Sequence, residues 1–292
     1  TSILMEGVMK NNILFPPFIL FTTIWHKIQI GSTNIYTIII PCLTDLDIVS
    51  SFLQSEFTKL IKVVDAYGTL FKKSKQKTNK KVYIVTTLGS LHSGVIYLKE
   101  LCNNEDIIPV HANGKTIQII RMLQHQYHID GIILLATTEF SNFLFNGDFN
   151  PREDPFNIWD TFNVPIYFVP GGLEFLVIGS NYNINEEFVE KQYKWNTLIK
   201  LYGLNSGAAQ IIYNKIKKAF IKNNFKIIIP LKSYSKLSEK GQPFENSSFI
   251  STLNSLLLSD NQLNVVYSNF DINSKEFIFE LQQAIKNDSR YN

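Results

Sequence analysis

The sequence predicts an α/β protein of doubly wound, mostly parallel sheets arranged in two similar halves. Three observations carry that expectation. Short apolar runs alternate with amphipathic stretches along the 292 residues, the order in which strands and crossover helices succeed one another in a parallel sheet. The runs are apolar throughout, as suits strands covered on both faces. A hydroxyl-rich turn followed by a helical stretch with a tyrosine occurs twice, at Thr86-Thr87-Leu88-Gly89-Ser90 with Tyr97 and at Gly203-Leu204-Asn205-Ser206-Gly207 with Tyr213. That recurrence suggests a duplicated unit.

Strands are expected at 36–40, 82–85, 131–135, 165–169, 226–229 and 263–267, where Ile, Val, Leu, Tyr and Phe dominate. Helices are expected at 47–62, 92–101, 115–126, 186–194, 208–222, 249–258 and 275–286, where apolar residues recur at helical spacing. The segment 13–25 (ILFPPFILFTTIW) carries Pro16-Pro17, lacks a small-residue cleavage site and is shorter than the roughly 20 apolar residues of a bilayer span. It reads as a proline-broken core segment. The run 72–81 (KKSKQKTNKK) has no interleaved aromatics and reads as a solvated loop. A polar, Asn-rich stretch at 181–187 marks a boundary, dividing the chain into 1–185, the region with the candidate active site, and 186–292, a second α/β unit.

Composition narrows the function classes. The 28 Lys and Arg stand against 25 Asp and Glu, for a net charge of +3. A small, unclustered surplus of that kind points to neither nucleic acid nor membrane as a partner. With 45% hydrophobic residues the chain is too apolar to be disordered. The two cysteines, Cys42 and Cys102, are too few for a disulfide framework or a four-ligand zinc site, so a reducing, cytoplasmic setting is expected. His111, His125 and His128 lack a third ligand at metal-site spacing, and no metal is expected. Asp148, Glu153, Asp154 and Asp160 read as solvated loop charges, and Gly171-Gly172 as a turn.

Open α/β sheets bind ligands at strand carboxyl ends, and four strand ends here carry suitable groups. In Pro41-Cys42-Leu43-Thr44 a thiol and a hydroxyl precede a helix whose N-terminus would lower the thiol pKa, making Cys42 a candidate nucleophile or base. Thr87, Gly89 and Ser90, with Ser93 beyond them, could bind a carboxylate or phosphate through hydroxyls and backbone N–H groups. Thr137, Thr138 and Glu139 place two hydroxyls and a carboxylate past the run 131–135. Ser206 opens the fourth turn. Ser and Thr are also favoured N-caps, so capping competes with binding at every one of these positions.

Taken together, these segments resemble the aspartate/glutamate racemase superfamily, whose P-C-N-T-A-H segment is similar to Pro41-Cys42-Leu43-Thr44-Asp45-Leu46. Its A-T-x-G-T and S-G-x-Y segments look like 86–90 with Ser93-Gly94 and Tyr97, and its G-C-T-E resembles Ala136-Thr137-Thr138-Glu139. The N-terminal glycine motif of that family is similar to 203–209, which lies in the wrong order here. The resemblance implies two Rossmann-like halves and an amino-acid racemase or isomerase that uses no pyridoxal phosphate or other cofactor. It implies Cys42 and Thr137 as the catalytic pair, and Thr44, Thr87, Gly89, Ser90, Thr138, Glu139 and Ser206 around a small carboxylate or amino acid. Thr137 replaces the second cysteine, and a hydroxyl is a far poorer acid or base than a thiol near neutral pH. Two functions therefore stand side by side: cofactor-independent chemistry at the α-carbon of a small amino acid or dicarboxylate, and an inactive α/β module that binds such a ligand. A homodimer is compatible with either.

Overall fold

The computed structural model describes residues 18–22, 37–41, 55, 58, 79–124, 127–179, 186–223 and 225–289. Two short strands, β1 (Phe18–Thr22) and β2 (Thr37–Pro41), pair in parallel. The strands that follow are β3 (Lys81–Thr87), β4 (Glu105–His111), β5 (Gly131–Ala136), β6 (Ile166–Gly171), β10 (Lys226–Pro230) and β11 (Asn264–Ser268). They form one parallel sheet of six strands in the order β11-β10-β6-β5-β3-β4. The α/β class and the mainly parallel sheet are as the apolar runs predict. The two-halves arrangement is not what the sheet shows: strands from both sides of residue 185 belong to it.

The period-two alternation of each strand divides its side chains between two layers. Ile84, Ile108, Ile132, Phe168 and Ile227 face one side, where they meet the buried stripes of α2 (Thr116–Gln124), α3 (Thr138–Leu144), α4 (Ser206–Asn223) and α5 (Ser248–Ser259). Tyr83, Val85, Ile107, Ile133, Tyr167 and Ile228 face the other, against α1 (His92–Leu101) and α6 (Lys275–Lys286). Because every central strand is covered twice, hydrophobic burial of about 25 cal/mol per Å² acts on both faces. Among the described residues no helix is long and apolar enough to cross a membrane.

A second sheet of three antiparallel strands is inserted between β6 and β10. It comprises β7 (Phe175–Gly179), β8 (Val189–Lys194) and β9 (Ile199–Leu204) in the order β7-β9-β8. The helix expected at 186–194 is a single 3-10 turn at Glu186–Phe188 running into β8. Edge pairing with β9 overrides the weak helical pattern, since an exposed antiparallel edge tolerates a polar strand. The helix expected at 47–62 lies mostly outside the described residues.

Candidate functional site

At the carboxyl edge of the main sheet, β3 leads into α1 on one face while its neighbour β5 leads into α3 on the other. This divergence is the switch point at which open α/β sheets place ligands. Thr87, Gly89, Ser90, Thr137, Thr138 and Glu139 all lie there, as the sequence predicts, but most of their polar groups are turned to the chain itself. Thr86 Oγ1 donates to Ala136 O at 2.7 Å and accepts from Ala136 N at 2.9 Å, stitching β3 to β5. Thr87 Oγ1 donates to Leu88 O. Thr137 is fully buried; its N–H donates to Gly171 O at 2.7 Å and its hydroxyl to Val169 O at 3.2 Å. Thr138 accepts two bonds from Asn142 Nδ2, through its carbonyl and its hydroxyl.

Glu139 acts on the next loop. Its Oε1 accepts from Gly114 N at 2.6 Å, Thr116 N at 3.2 Å and Thr116 Oγ1 at 2.8 Å, so a buried carboxylate occupies the N-terminus of α2. Desolvation pushes its pKa up, against the pull of those bonds. Ser206 is exposed at the start of α4. Cys42 and Thr44 lie outside the described residues, as does His125. The loop charges are engaged as well. Asp148 Oδ2 accepts from Gly179 N, Glu153 pairs with Arg121 through two bonds of 2.6 and 2.9 Å, and Asp154 caps Phe156 N.

The glycine pair Gly171-Gly172 stands at the end of β6. A β-carbon on Gly171 would sit 2.0 Å from Leu135 O, where the β5–β6 register shifts, so no other residue fits without moving a strand. Gly172 has φ of +68° and turns the chain toward β7. Its N–H donates to Tyr234 O at 2.8 Å, which draws the loop after β10 over the edge.

A second polar cluster, which the sequence reading did not single out, sits under that loop. Ser235 Oγ and Ser238 Oγ donate to Glu174 Oε1 at 2.5 and 3.0 Å. Glu174 is completely buried, and desolvation pushes its carboxyl up to about 7 against the lowering effect of the two hydroxyls. Tyr234 OH donates to Asn254 Oδ1 at 2.6 Å. The turn Gly89–Leu91 contacts the turn Lys236–Ser238. Asn273 joins them: its Nδ2 donates to Ser90 O and Glu239 Oε1, and its Oδ1 accepts from Gly94 N. Among the buried side-chain atoms with no hydrogen-bond partner, Ser90 Oγ, Glu174 Oε2, Ser233 Oγ and Ser268 Oγ lie at the carboxyl ends of β3, β6, β10 and β11. The signal available in the sequence was the run Ser233-Tyr234-Ser235 just past the strand 226–229, which obeys the same strand-end rule applied elsewhere.

The fold and this edge define a doubly wound parallel α/β domain whose polar groups collect at the strand carboxyl ends. Residues 80–287, from β3 to the end of α6, match the C-terminal domain of the uncharacterised protein family UPF0261, and the chain belongs to that family. A UPF0261 protein of Clostridium tetani (strain Massachusetts / E88) is 25% identical over 222 residues, covering 72% of this chain and 54% of the relative. The chain thus spans about half the length of the curated relative it matches. This membership overturns the resemblance to the aspartate/glutamate racemase superfamily, and with it the expectation of an isomerase of that family acting without pyridoxal phosphate. The resemblance arose from short Ser/Thr turns after strands, and here Thr86, Thr137 and Thr138 fill that pattern while bonding the main chain or a neighbouring side chain.

Proposed function

We propose that the domain is a binding module for a small amino acid or related carboxylate, received at the carboxyl edge of the parallel sheet. The observation that carries this reading is that Ser90 Oγ, Glu174 Oε2, Ser233 Oγ and Ser268 Oγ are buried without hydrogen-bond partners at the carboxyl ends of β3, β6, β10 and β11. Buried polar atoms normally find partners, and an unpartnered group calls for an explanation. The chemistry of the four suits a zwitterion. Hydroxyls donate to a carboxylate, and the second oxygen of Glu174 accepts from an ammonium group. Access runs beside Gly89, which is exposed and whose absent side chain leaves open space. The reading carries a cytoplasmic setting, supported by Cys102, a buried free thiol.

The test is thermal unfolding with aspartate, glutamate and a panel of small 2-amino acids in both enantiomers. A ligand at a hundred times its Kd stabilises by about 2.7 kcal/mol. Stabilisation that is lost in Ser90→Ala and Ser233→Ala supports the module. No shift at about 10 mM of any compound, a concentration well above ordinary dissociation constants, removes it.

A further inference from the structure

We propose that the open groove between α1 and α6 is a docking surface for a basic amphipathic helix of a protein partner. The groove holds about 490 Å³ and is lined by α1, α6 and Phe270, with none of the carboxyl-edge cluster residues in its lining. Its apolar strip is exposed: Phe279 is 52% and Leu101 38% accessible, large values for side chains of this kind. Around the strip stand three carboxylates, Glu100 on α1 and Glu276 and Glu280 on α6, against one cation, Lys275. Among the described residues none of these three carboxylates has a hydrogen-bond or ion-pair partner. The chain as a whole carries +3, so this acidic rim is a local feature of the groove.

Charge complementarity selects the occupant. A partner must cover Phe279 and Leu101 with apolar side chains and present cations to the rim on both sides. Glu276 and Glu280 are four residues apart on α6, one helical turn, which matches Lys or Arg at the same spacing on an apposed helix. A small organic cation is a poorer fit. The aromatic face it would seek, that of Tyr97, already carries Lys275 Nζ at 5.0 Å from the ring centre, and such a cation would leave Phe279 in water.

The experiment uses the full chain and a fluorescein-labelled amphipathic peptide of Leu and Lys at helical spacing, with a Leu and Glu peptide of the same pattern as its counterpart. Anisotropy titrations are expected to show binding of the basic peptide alone, weakened at least tenfold by Phe279→Ala. The triple variant Glu100→Gln, Glu276→Gln, Glu280→Gln is expected to weaken it tenfold at low salt and to flatten its salt dependence. Glu186→Gln, exposed on the inserted sheet side, leaves affinity unchanged. All of these sites are at the surface, and circular dichroism confirms that each variant is folded. The assignment is overturned if both peptides bind alike, if the groove variants bind as the parent does, or if no binding occurs up to about 1 mM peptide. It is also overturned if the parent is a dimer that Phe279→Ala dissociates, because the groove then receives a second copy.

Discussion

Ser235 donates its hydroxyl to Glu174 across 2.5 Å, joining the turn after β6 to the loop after β10 inside a region from which water is excluded. The carboxyl of Glu174 also receives Ser238, yet its other oxygen has no partner, and burial raises its pKa from the ordinary 4.5 to about 7. The folded state therefore holds this proton more tightly than the unfolded state does. Stability from this group is complete below the unfolded value and is lost as pH rises from about 4.5 to about 7, by about 3 kcal/mol in all. Urea unfolding of the parent and Glu174→Gln from about pH 5 to pH 8 should give a difference that shifts in favour of the variant by most of that amount. A difference constant across the range would show that Glu174 does not titrate in this window.

Gly171 faces a backbone oxygen, not the movable end of a side chain. Gly171→Ala should therefore cost more than the 1–3 kcal/mol or so of ordinary overpacking, because either β5 or β6 must shift. Gly172→Ala meets the movable tip of Leu88, the Phe175 ring at ordinary contact distance and a positive φ, and should cost about 1 kcal/mol. Equal losses for the two variants in denaturant unfolding would contradict the close approach of Gly171 to Leu135.

Glu139 holds the start of α2 through three donors. Glu139→Ala leaves Gly114 N, Thr116 N and Thr116 Oγ1 without their acceptor and should destabilise by about 2–3 kcal/mol, whereas Glu139→Gln keeps an acceptor and loses less. Amide exchange at Gly114 and Thr116 should quicken selectively in the alanine variant. Uniform quickening through the whole sheet would mean that the contact is not local.

Cys102 is 8% accessible, and burial pushes its thiol up to about 11 although Gln282 donates to it. Iodoacetamide should leave it unmodified in the native protein and alkylate it in urea, because the thiolate fraction near pH 8 is only about one in a thousand. Mass spectrometry that finds Cys102 alkylated in the native state as fast as glutathione would refute the burial.

The six apolar runs expected as strands each fall on a strand; in β3, β5, β6 and β10 the reason is cover on both faces, which makes a strand apolar along its length, whereas β11 is a largely exposed edge whose Val265-Val266-Tyr267 carries β propensity alone. Of the strands not expected from the sequence, β7 is a short apolar run in its own right, while β4 and β8 depend on their neighbours. β4 begins Glu105-Asp106 and contains Pro109, which an edge strand accommodates and a central one would not. β8 is almost wholly exposed and exists through its pairing with β9. The same division holds at the carboxyl edge. Hydroxyls following a strand are visible locally, so Thr87, Ser90 and Thr137 could be named. That Glu174 is buried follows from Ser235 and Ser238, more than sixty residues away along the chain, and no local pattern states it.

The layer opposite α2 through α5 is made of α1 and α6, the first and last helices of the family domain, and Asn273 ties the loop before α6 to Ser90 and Gly94. On a ribosome, the chain emerges from its N-terminal end, so α1 and the inner faces of β3 and β5 are finished long before their cover exists. Tyr83, Val85, Ile133 and Tyr167 have only α1 over them on that side until 275–286 has left the exit tunnel, and a product cut short before α6 keeps part of one side of its sheet bare. The nascent protein consequently passes through its most adhesive form late in synthesis, when its other layer is already complete.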